Sequence, residues 1–488
     1  MLDVINDFLS GKVLIPLVLG LGSYFTIRSG FVQIRYFRHM FGVLHGSWRA
    51  GSHQLSSFQA LTLSLAGRVG TGNIVGVGIA VSMGGPGAVF WMWMTALLGM
   101  SSSLFECTLG QLYKRNDENG LYRGGPCWYI QHGLGKRWLG IIAAVLMLVT
   151  FGFAINGLES HAVSHSLKDA FGLPPMWSGL ALSLMLGVVL IGGIKRIAAV
   201  ADFLVPIKVL AYIGVTGYVL ILQFDQVPTM LVTIIKSALG LDQALGGLIG
   251  SAIIMGVRRG VFSNEAGLGS APNVASVAKV SHPVAQGVVQ ALSVFIDTFV
   301  ICTCTALMIL LSGFYTQGLE GDGIALAQNS LAAVVGEWGR MFISVVLALF
   351  VFTAMLYNYY LGENSLRFMF DEPRKVLILY RALVLTLVFW GSIEDLSTVL
   401  AFADITMTLL ALVNLITMAL LFKICLRILR DYDDQRRAGV ETPIFDSKLF
   451  LDLDLDPVAW PPLACRSSTM KLGEPSAPPG ISKQIAQA

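Results

Sequence analysis

Long runs of apolar residues alternate with short polar segments over almost the whole chain. A helix needs about 20 mostly apolar residues to cross a bilayer, so runs of this length predict about eleven transmembrane helices. The predicted spans are 12–28, 57–82, 86–112, 138–165, 177–193, 197–222, 244–268, 284–313, 338–361, 376–392 and 396–423. The pattern therefore predicts an all-α polytopic membrane protein.

Two of these predicted spans are interrupted by glycines and polar residues at membrane depth. Residues 66–73 read Ala-Gly-Arg-Val-Gly-Thr-Gly-Asn, and residues 259–267 read Arg-Gly-Val-Phe-Ser-Asn-Glu-Ala-Gly. Backbone that leaves the helix at this depth is tolerated only where it is buried in protein or lines a cavity. Paired interruptions in two halves of a chain indicate the binding site of a transporter. Close-packed glycine faces between helices are the alternative interpretation.

The two interruptions also indicate how the chain is organised. Setting the first predicted span aside leaves two sets of five, and each set begins with an interrupted span. Because five is odd, the sets enter the membrane from opposite sides, as an inverted repeat does. We predict an extra N-terminal helix and cytoplasmic arm (1–55), a first repeat (56–243), a second repeat (244–425) and a cytoplasmic, largely disordered tail (426–488).

Composition and charge agree with a membrane protein and set its orientation. Only 13% of the residues are charged and 55% are hydrophobic, whereas soluble domains contain about 25% charged residues. One alternate set of predicted loops holds most of the basic residues, for example Arg35, Arg38, Lys114, Arg115 and Arg374. By the positive-inside rule this set is cytoplasmic, which places the N-terminus outside and the C-terminus in the cytoplasm. No paired nucleophile and base, metal-ligand spacing or nucleotide loop indicates an enzyme, and nothing indicates a nucleic-acid partner.

Several segments resemble the alanine/glycine:cation symporter family, of sodium:alanine symporter type. The matching segments are 67–77 (GRVGTGNIVGV), 84–93 (GGPGAVFWMW), 124–130 (GGPCWYI), 263–272 (SNEAGLGSAP) and 295–298 (FIDT). The resemblance runs over roughly residues 10–430. It implies a five-plus-five fold of leucine-transporter type in the bacterial plasma (inner) membrane. It also implies import of a small neutral amino acid, alanine or glycine, with sodium by alternating access. We expect a monomer in contact with lipid, without any cofactor besides the co-transported sodium ion.

The first interruption is predicted to bind the carboxylate of the amino acid. The N-terminus of a half-helix offers unpaired N–H groups and a positive dipole, so the amides of Thr71 and Gly72 suit this role. Asn73 either orients the interruption or binds an ion. A simple flexible hinge is the alternative for this segment.

Further substrate contacts are predicted from the second interruption and from two other helices. Phe262, Ser263 and Asn264 are expected to face the same site. Glu159 and Asn358 stand where the chain departs from the commoner pattern of the family it resembles, which favours a roomier, more polar pocket. Glu159 has three candidate partners, namely the substrate ammonium, Arg68 or a coupled proton.

Sodium is a hard cation and is expected to bind oxygen ligands. The carbonyls of Ala66 and Val69 and the hydroxyl of Thr353 are the predicted ligands, although Thr353 can instead bond its own helix. A proton-coupled symporter, with Glu159 and His161 as carriers, is the alternative within transport. A non-transporting sensor or an ion channel is the alternative outside it.

Overall fold

A computed structural model describes residues 5–6, 8–46, 55–118, 120–241, 249–314, 323–370, 374–394 and 396–463. The elements of its first half are α1 (Leu9–Arg28), α2 (Val32–Arg35), α3 (Phe37–Gly46), α4 (Ser57–Arg68), α5 (Gly72–Gly84), α6 (Gly87–Leu112), β1 (Arg115–Asn116), β2 (Tyr122–Arg123), α7 (Pro126–Leu134), α8 (Arg137–Phe171), α9 (Pro175–Leu190), α10 (Gly193–Leu222) and α11 (Val227–Ala238). The two short strands pair antiparallel as a hairpin.

The second half of the chain is helical. Its elements are α12 (Ile249–Asn264), α13 (Ala271–Ala275), α14 (Pro283–Leu311), α15 (Gly323–Val335), α16 (Trp338–Met369), α17 (Arg374–Gly391) and α18 (Leu396–Arg437). The fold is therefore all-α apart from the one hairpin, within the described residues.

Seven described helices are long and apolar enough to cross a membrane, and the number becomes eight when α4 and α5 count as one broken span. Each predicted span overlaps at least one described helix. However, α9 and the described part of α12 have 16 residues each, and α17 carries Arg374, Lys375 and Arg381. The count of eleven spans and the inverted repeat therefore stay predictions.

The first broken span is built from two helices that meet at an angle of 52°. The start of α4 is fixed by Ser56 and Gln59, because the Ser56 hydroxyl accepts from the Gln59 amide and the Gln59 side chain accepts from the Ser56 amide. At its other end, Val69 has φ −81° and ψ 79°, which is outside the helical range. The chain resumes as a π-helical turn at Gly72–Gly76. The break thus occupies residues 69–71.

The broken spans are held between long helices. In the first half, α4 packs against α10 and α16, while α8 packs against α16. In the second half, α12 and α14 both pack against α6. Both breaks are consequently buried by helices that are distant in sequence.

The tail differs from the predicted disordered segment as far as residue 463. Helix α18 continues to Arg437, well beyond the predicted boundary at 425. Further along, Trp460 is buried, and its indole donates to the carbonyl of Gln111 at 3.1 Å. Asp454 pairs with His132 at 2.5 Å, which ties the tail to α7. The rest of the predicted tail, 464–488, lies outside the described residues.

Candidate functional site

The first break frees a backbone carbonyl in the middle of the protein. The amide of Val69 still donates to Leu65, but the next amide, of Gly70, turns away and donates to the side-chain oxygen of Asn73 at 3.0 Å. The carbonyl of Val69 is bound by the ammonium of Lys208, at 2.8 Å. A released carbonyl at this depth must find a partner, and here a cation supplies it.

Lys208 contacts two of the three oxygens that are predicted to bind sodium. Its buried ammonium donates to the Val69 carbonyl and, at 2.5 Å, to the hydroxyl of Thr353. Two of the three predicted sodium ligands therefore bind a resident positive charge, which would repel a second cation at the same oxygens. The third, Ala66, is buried in the last turn of α4. Thr353 also donates to the carbonyl of Phe350 in its own helix at 3.0 Å, as the alternative interpretation held.

A buried carboxylate joins the two breaks. Asp297 on α14 accepts from the amide of Asn73 at 2.6 Å and from the hydroxyl of Ser263 at 2.9 Å. The hydroxyl of Thr298 donates to it as well, at 2.9 Å. Asn73 is thus held from both ends, because its oxygen accepts from Gly70. This double contact agrees with the interpretation of Asn73 as a residue that orients the break.

The second break follows Asn264, where α12 ends, so residues 259–264 of the predicted interruption are helical. The helices that flank the two breaks touch each other at Gly72. A β-carbon on Gly72 would lie 2.8 Å from the Cα of Ser263 and 3.2 Å from the ring of Phe262. Only a glycine allows this approach, so Gly72 is a close packing contact between the two helices. Phe262 accordingly lies over the first break.

The side chain of Asn264 bonds within its own segment through its oxygen, while its nitrogen has no hydrogen-bond partner among the described residues. Its side-chain oxygen accepts from the amide of Ala266 at 3.0 Å, inside the second break. The same oxygen lies 3.8 Å from the β-carbon position of Gly99 on α6. The chain turns sharply at Glu265, which has a φ of +53°. The Asn264 oxygen therefore caps this turn and is not offered to a ligand beside Thr71.

Glu159 and Asn358 form a pair next to the first break. The amide of Asn358 donates to the Glu159 carboxylate at 3.0 Å. A β-carbon on Gly70 would lie 3.1 Å from the other oxygen of Glu159. Arg68 donates instead to Ser103 at 3.0 Å, and no ion pair with Glu159 is found among the described residues. The alternative in which Glu159 neutralises Arg68 is thus not supported.

A small cavity of about 20 Å³ lies between the two breaks. Thr71 and Phe262 are on its wall, with apolar residues from α8 and α15. A space of this size holds about one water molecule. An amino acid is larger than this space, so the surrounding helices would have to separate to admit one.

An ion pair closes one side of this cavity. Arg259, which lines the cavity and precedes the second break, contacts Asp404 on α18 at 2.9 Å. Arg258 contacts the same carboxylate at 3.4 Å. Phe262 lies 5.5 Å from the Arg259 guanidinium, measured to its ring centroid. Separation of α12 from α18 would break both ion pairs together.

Sequence reasoning missed Lys208 and Glu106. Glu106 on α6 accepts from the amides of Gly267 and Gly269 at 3.3 Å and 3.1 Å, and from Asn414 at 3.0 Å. These bonds hold the second break, where both glycines have positive φ. Glu106 lies inside the predicted span 86–112 and Lys208 inside 197–222. A charged residue at membrane depth was the signal that could have identified both.

Apolar helices that enclose a broken span and several buried charges define the class of polytopic membrane proteins. Residues 1–447 match the sodium:alanine symporter family. GlnT of Bacillus subtilis (strain 168), a probable sodium/glutamine symporter, is 45% identical over 444 residues, which are 91% of this chain and 92% of GlnT. The amino-acid carrier protein AlsT of the same organism is 43% identical over 448 residues, 92% and 95% of the two chains.

A third relative is the sodium/proton-dependent alanine carrier protein of Bacillus sp. (strain PS3). It is 34% identical over 412 residues, 81% of this chain and 92% of the relative. The chain belongs to the sodium:alanine symporter family. Its relatives are transporters and not enzymes, and the family supports sodium- or proton-coupled symport of an amino acid.

Proposed function

We propose that this protein imports a small neutral amino acid, alanine or glycine, together with sodium by alternating access. The observation that carries this proposal is the contact between two broken helices around buried polar groups, at Gly72 and Ser263. The setting is the bacterial inner membrane, with the N-terminus outside and the C-terminus in the cytoplasm. The five-plus-five inverted repeat is part of the proposal, because it gives each half one broken helix on which to open.

Sodium is proposed to bind at the Asp297 cluster. Here the hydroxyls of Ser263 and Thr298 both lie within hydrogen-bond distance of the Asp297 carboxylate. A hard monovalent cation favours such oxygen ligands, and the negative charge of Asp297 offsets its own. The cluster joins α12 and α14 next to the first break, so an ion bound there would link both broken helices.

The substrate is proposed to lie between the start of α5 and the Glu159 pair. Its carboxylate would meet the amides at Thr71 and Gly72, where the helix dipole is positive. Its ammonium would meet the carboxylate of Glu159, which borders the same break. Phe262 would cover the apolar side of the ligand.

Glutamine is a second candidate substrate. The pair formed by Glu159 and Asn358 offers both a hydrogen-bond acceptor and a donor beside the break. A side-chain amide can use both. GlnT, a probable sodium/glutamine symporter, is 45% identical to this chain.

Uptake in proteoliposomes tests the proposed function. Labelled alanine, glycine and glutamine are offered with an inward sodium gradient at equal pH on both sides. We expect accumulation of one of them above its external concentration, which neither a channel nor a sensor achieves. Absence of sodium-driven accumulation for all three would contradict sodium symport of these substrates.

A variant pair tests the sodium site. Asp297→Asn removes the negative charge and is expected to raise the sodium concentration for half-maximal uptake by about tenfold, or ~1.4 kcal/mol. Asp202→Asn is the matched control, because Asp202 is also an intramembrane aspartate but bonds Thr62 on α4. Equal sodium dependence in the parent and Asp297→Asn would remove Asp297 from the site.

A further inference from the structure

A second cavity, of about 710 Å³, lies on the side of the protein that is predicted to be cytoplasmic. Its walls come from α3, the start of α4, residues 279–285, and the end of α18 with the loop that follows it. Small-molecule sites commonly occupy about 300–1,000 Å³, so this cavity is large enough for a ligand. It shares no lining residue with the cavity between the two breaks. The two cavities are therefore separate.

The start of α4 presents an unused hydroxyl to this second cavity. Ser57 lines the cavity and is only 5% exposed, and its hydroxyl has no hydrogen-bond partner within the described part of the chain. The neighbouring Ser56 already uses its side-chain oxygen to accept from the Gln59 amide. The first turn of a helix also carries the positive end of the helix dipole. A negatively charged acceptor would satisfy both the Ser57 hydroxyl and this dipole.

Two cationic side chains border the same cavity. Lys279 is held beside the start of α4, because its backbone amide donates to the carbonyl of Leu55 at 3.1 Å. Arg436 on α18 is held by the ring of His39, with 2.9 Å between its guanidinium and Nε2. Neither Lys279 nor Arg436 forms an ion pair with any residue that the structure describes. Their charges are thus available to a ligand.

The other ionisable groups on the wall leave this positive charge in excess. Burial and the adjacent Arg436 guanidinium lower the pKa of His39 to about 4, so the ring is neutral at pH 7. Glu441 is the carboxylate on the described wall, and it is exposed to solvent. Two cations therefore face one anion, which favours a negatively charged ligand.

We propose that the second cavity binds a phosphate group, carried either by the headgroup of an anionic lipid or by a soluble compound. The Lys279 ammonium and the Arg436 guanidinium supply the positive partners, and the Ser57 hydroxyl donates to a phosphate oxygen. A tetrahedral phosphate accepts from donors that approach from different directions, as these three do, whereas a carboxylate is planar. The remaining volume accommodates the rest of the headgroup or compound.

Occupation of this site would join segments that are far apart in the sequence. Ser57 begins the first half of the broken span, Lys279 precedes α14, and Arg436 lies at the end of α18. The three come together only in the folded chain, so a bound ligand stabilises the fold by mass action. Thermal unfolding therefore reports occupancy. This readout does not depend on which amino acid or ion is transported.

The test follows thermal unfolding of the full chain in detergent at pH 7 and constant ionic strength, while inorganic phosphate is added. We expect a saturable rise of the melting temperature in the parent. Lys279→Gln should raise the half-saturating phosphate concentration by about tenfold, through loss of a charge-assisted bond. Ser57→Ala should raise it by about fivefold, through loss of one hydrogen bond. Glu441→Gln should lower it, because the opposing charge is removed.

Two matched variants control for general effects of the salt. Lys236→Gln removes an exposed lysine near the end of α11. Ser64→Ala removes a buried hydroxyl on α4 that is also unpartnered among the described residues but does not line the cavity. Both should respond to phosphate as the parent does. Phosphate also stabilises proteins by exclusion from their surface, and this effect is the same in every variant. Equal titration curves in the parent, Lys279→Gln and Ser57→Ala would overturn the proposal.

A second titration distinguishes the two sources of the phosphate group. Dioctanoyl-phosphatidylglycerol is compared with dioctanoylglycerol, which has the same chains without the phosphate. A lipid headgroup is the source if the phospholipid acts at concentrations at least about tenfold below those of inorganic phosphate, and only in proteins that keep Lys279. Otherwise a soluble phosphate compound is the source. Absence of a Lys279-dependent shift with both the phospholipid and inorganic phosphate would overturn the site itself.

Discussion

The side-chain amide of Asn358 donates to the carboxylate of Glu159 at 3.0 Å, although the two residues are 199 positions apart. The other oxygen of Glu159 borders Gly70, in the first break. Their contact joins two helices and forms one polar wall beside the first break.

Replacement of Glu159 by Gln tests this wall. We expect the affinity for alanine to fall by about tenfold, because a hydrogen bond to a charged group contributes about 1.5–3 kcal/mol, more than a neutral one. The half-saturating alanine concentration is measured at saturating sodium. Glu363→Gln serves as the control, since Glu363 pairs with Arg367 near the end of α16. Unchanged affinity in Glu159→Gln would show that the ammonium binds elsewhere.

The contact between the breaks predicts different effects at two nearby glycines. Gly72→Ala places a β-carbon 2.8 Å from the Cα of Ser263, whereas Gly76→Ala places one 3.8 Å from the ring of Phe262. We expect Gly72→Ala to abolish uptake and to destabilise the protein by about 1–3 kcal/mol through overpacking. Gly76→Ala should retain uptake. Transport and thermal unfolding in detergent are the measurements, and equal behaviour of the two variants would contradict the close approach.

Thr353 tests whether the oxygens that Lys208 contacts also bind sodium. Thr353→Val removes the hydroxyl to which Lys208 donates, while Thr353→Ser keeps it. We expect the valine variant to leave the half-activating sodium concentration within about twofold, less than ~0.5 kcal/mol, because the Lys208 ammonium already occupies this hydroxyl. The serine variant should resemble the parent. A large increase in the sodium requirement of Thr353→Val would return sodium to the position first predicted for it.

His39 in the arm helix α3 is expected to make the stability of the protein depend on pH. Burial and the nearby Arg436 guanidinium lower the pKa of His39 to about 4. Between about 6.5, the ordinary value, and about 4, the unfolded chain binds more protons than the folded chain, so stability falls as the pH falls. The apparent melting temperature in detergent should therefore decrease from pH 7 to pH 5. His39→Gln should reduce this decrease, and an identical decrease in both proteins would contradict the assignment.

The sequence allowed the helices and the first break to be predicted because both depend on local composition. An apolar run interrupted by Gly70, Thr71 and Gly72 indicates a broken span by itself. The same locality explains why Glu159 and Asn358 were selected separately, each from its own motif, and why their contact was not predicted. A pair of residues on different helices requires the tertiary structure.

The partners of the buried charges depend on packing between distant helices. Lys208 stands in the apolar run 197–222, and its acceptors Val69 and Thr353 come from α4 and α16. The sequence of one segment cannot show which side chain from another helix reaches its oxygens. The sequence therefore predicted sodium at these oxygens and did not predict Lys208 there. The tail was predicted from its prolines, and the burial of Trp460 against the hairpin region carries no signal in its own composition.

Helix α18 has 42 residues and links regions that are far apart in the molecule. Near one end Asp404 contacts Arg259 beside the cavity, and near the other end Tyr432 contacts His39 of the arm at 2.8 Å. At 1.5 Å per residue the helix is about 63 Å long, so a tilt of about 5° displaces its far end by roughly 5 Å. A small tilt of α18 after release of the Arg259 contact would therefore become a larger displacement of the arm and the tail. A distance probe placed on the arm or the tail could follow this displacement in real time during transport.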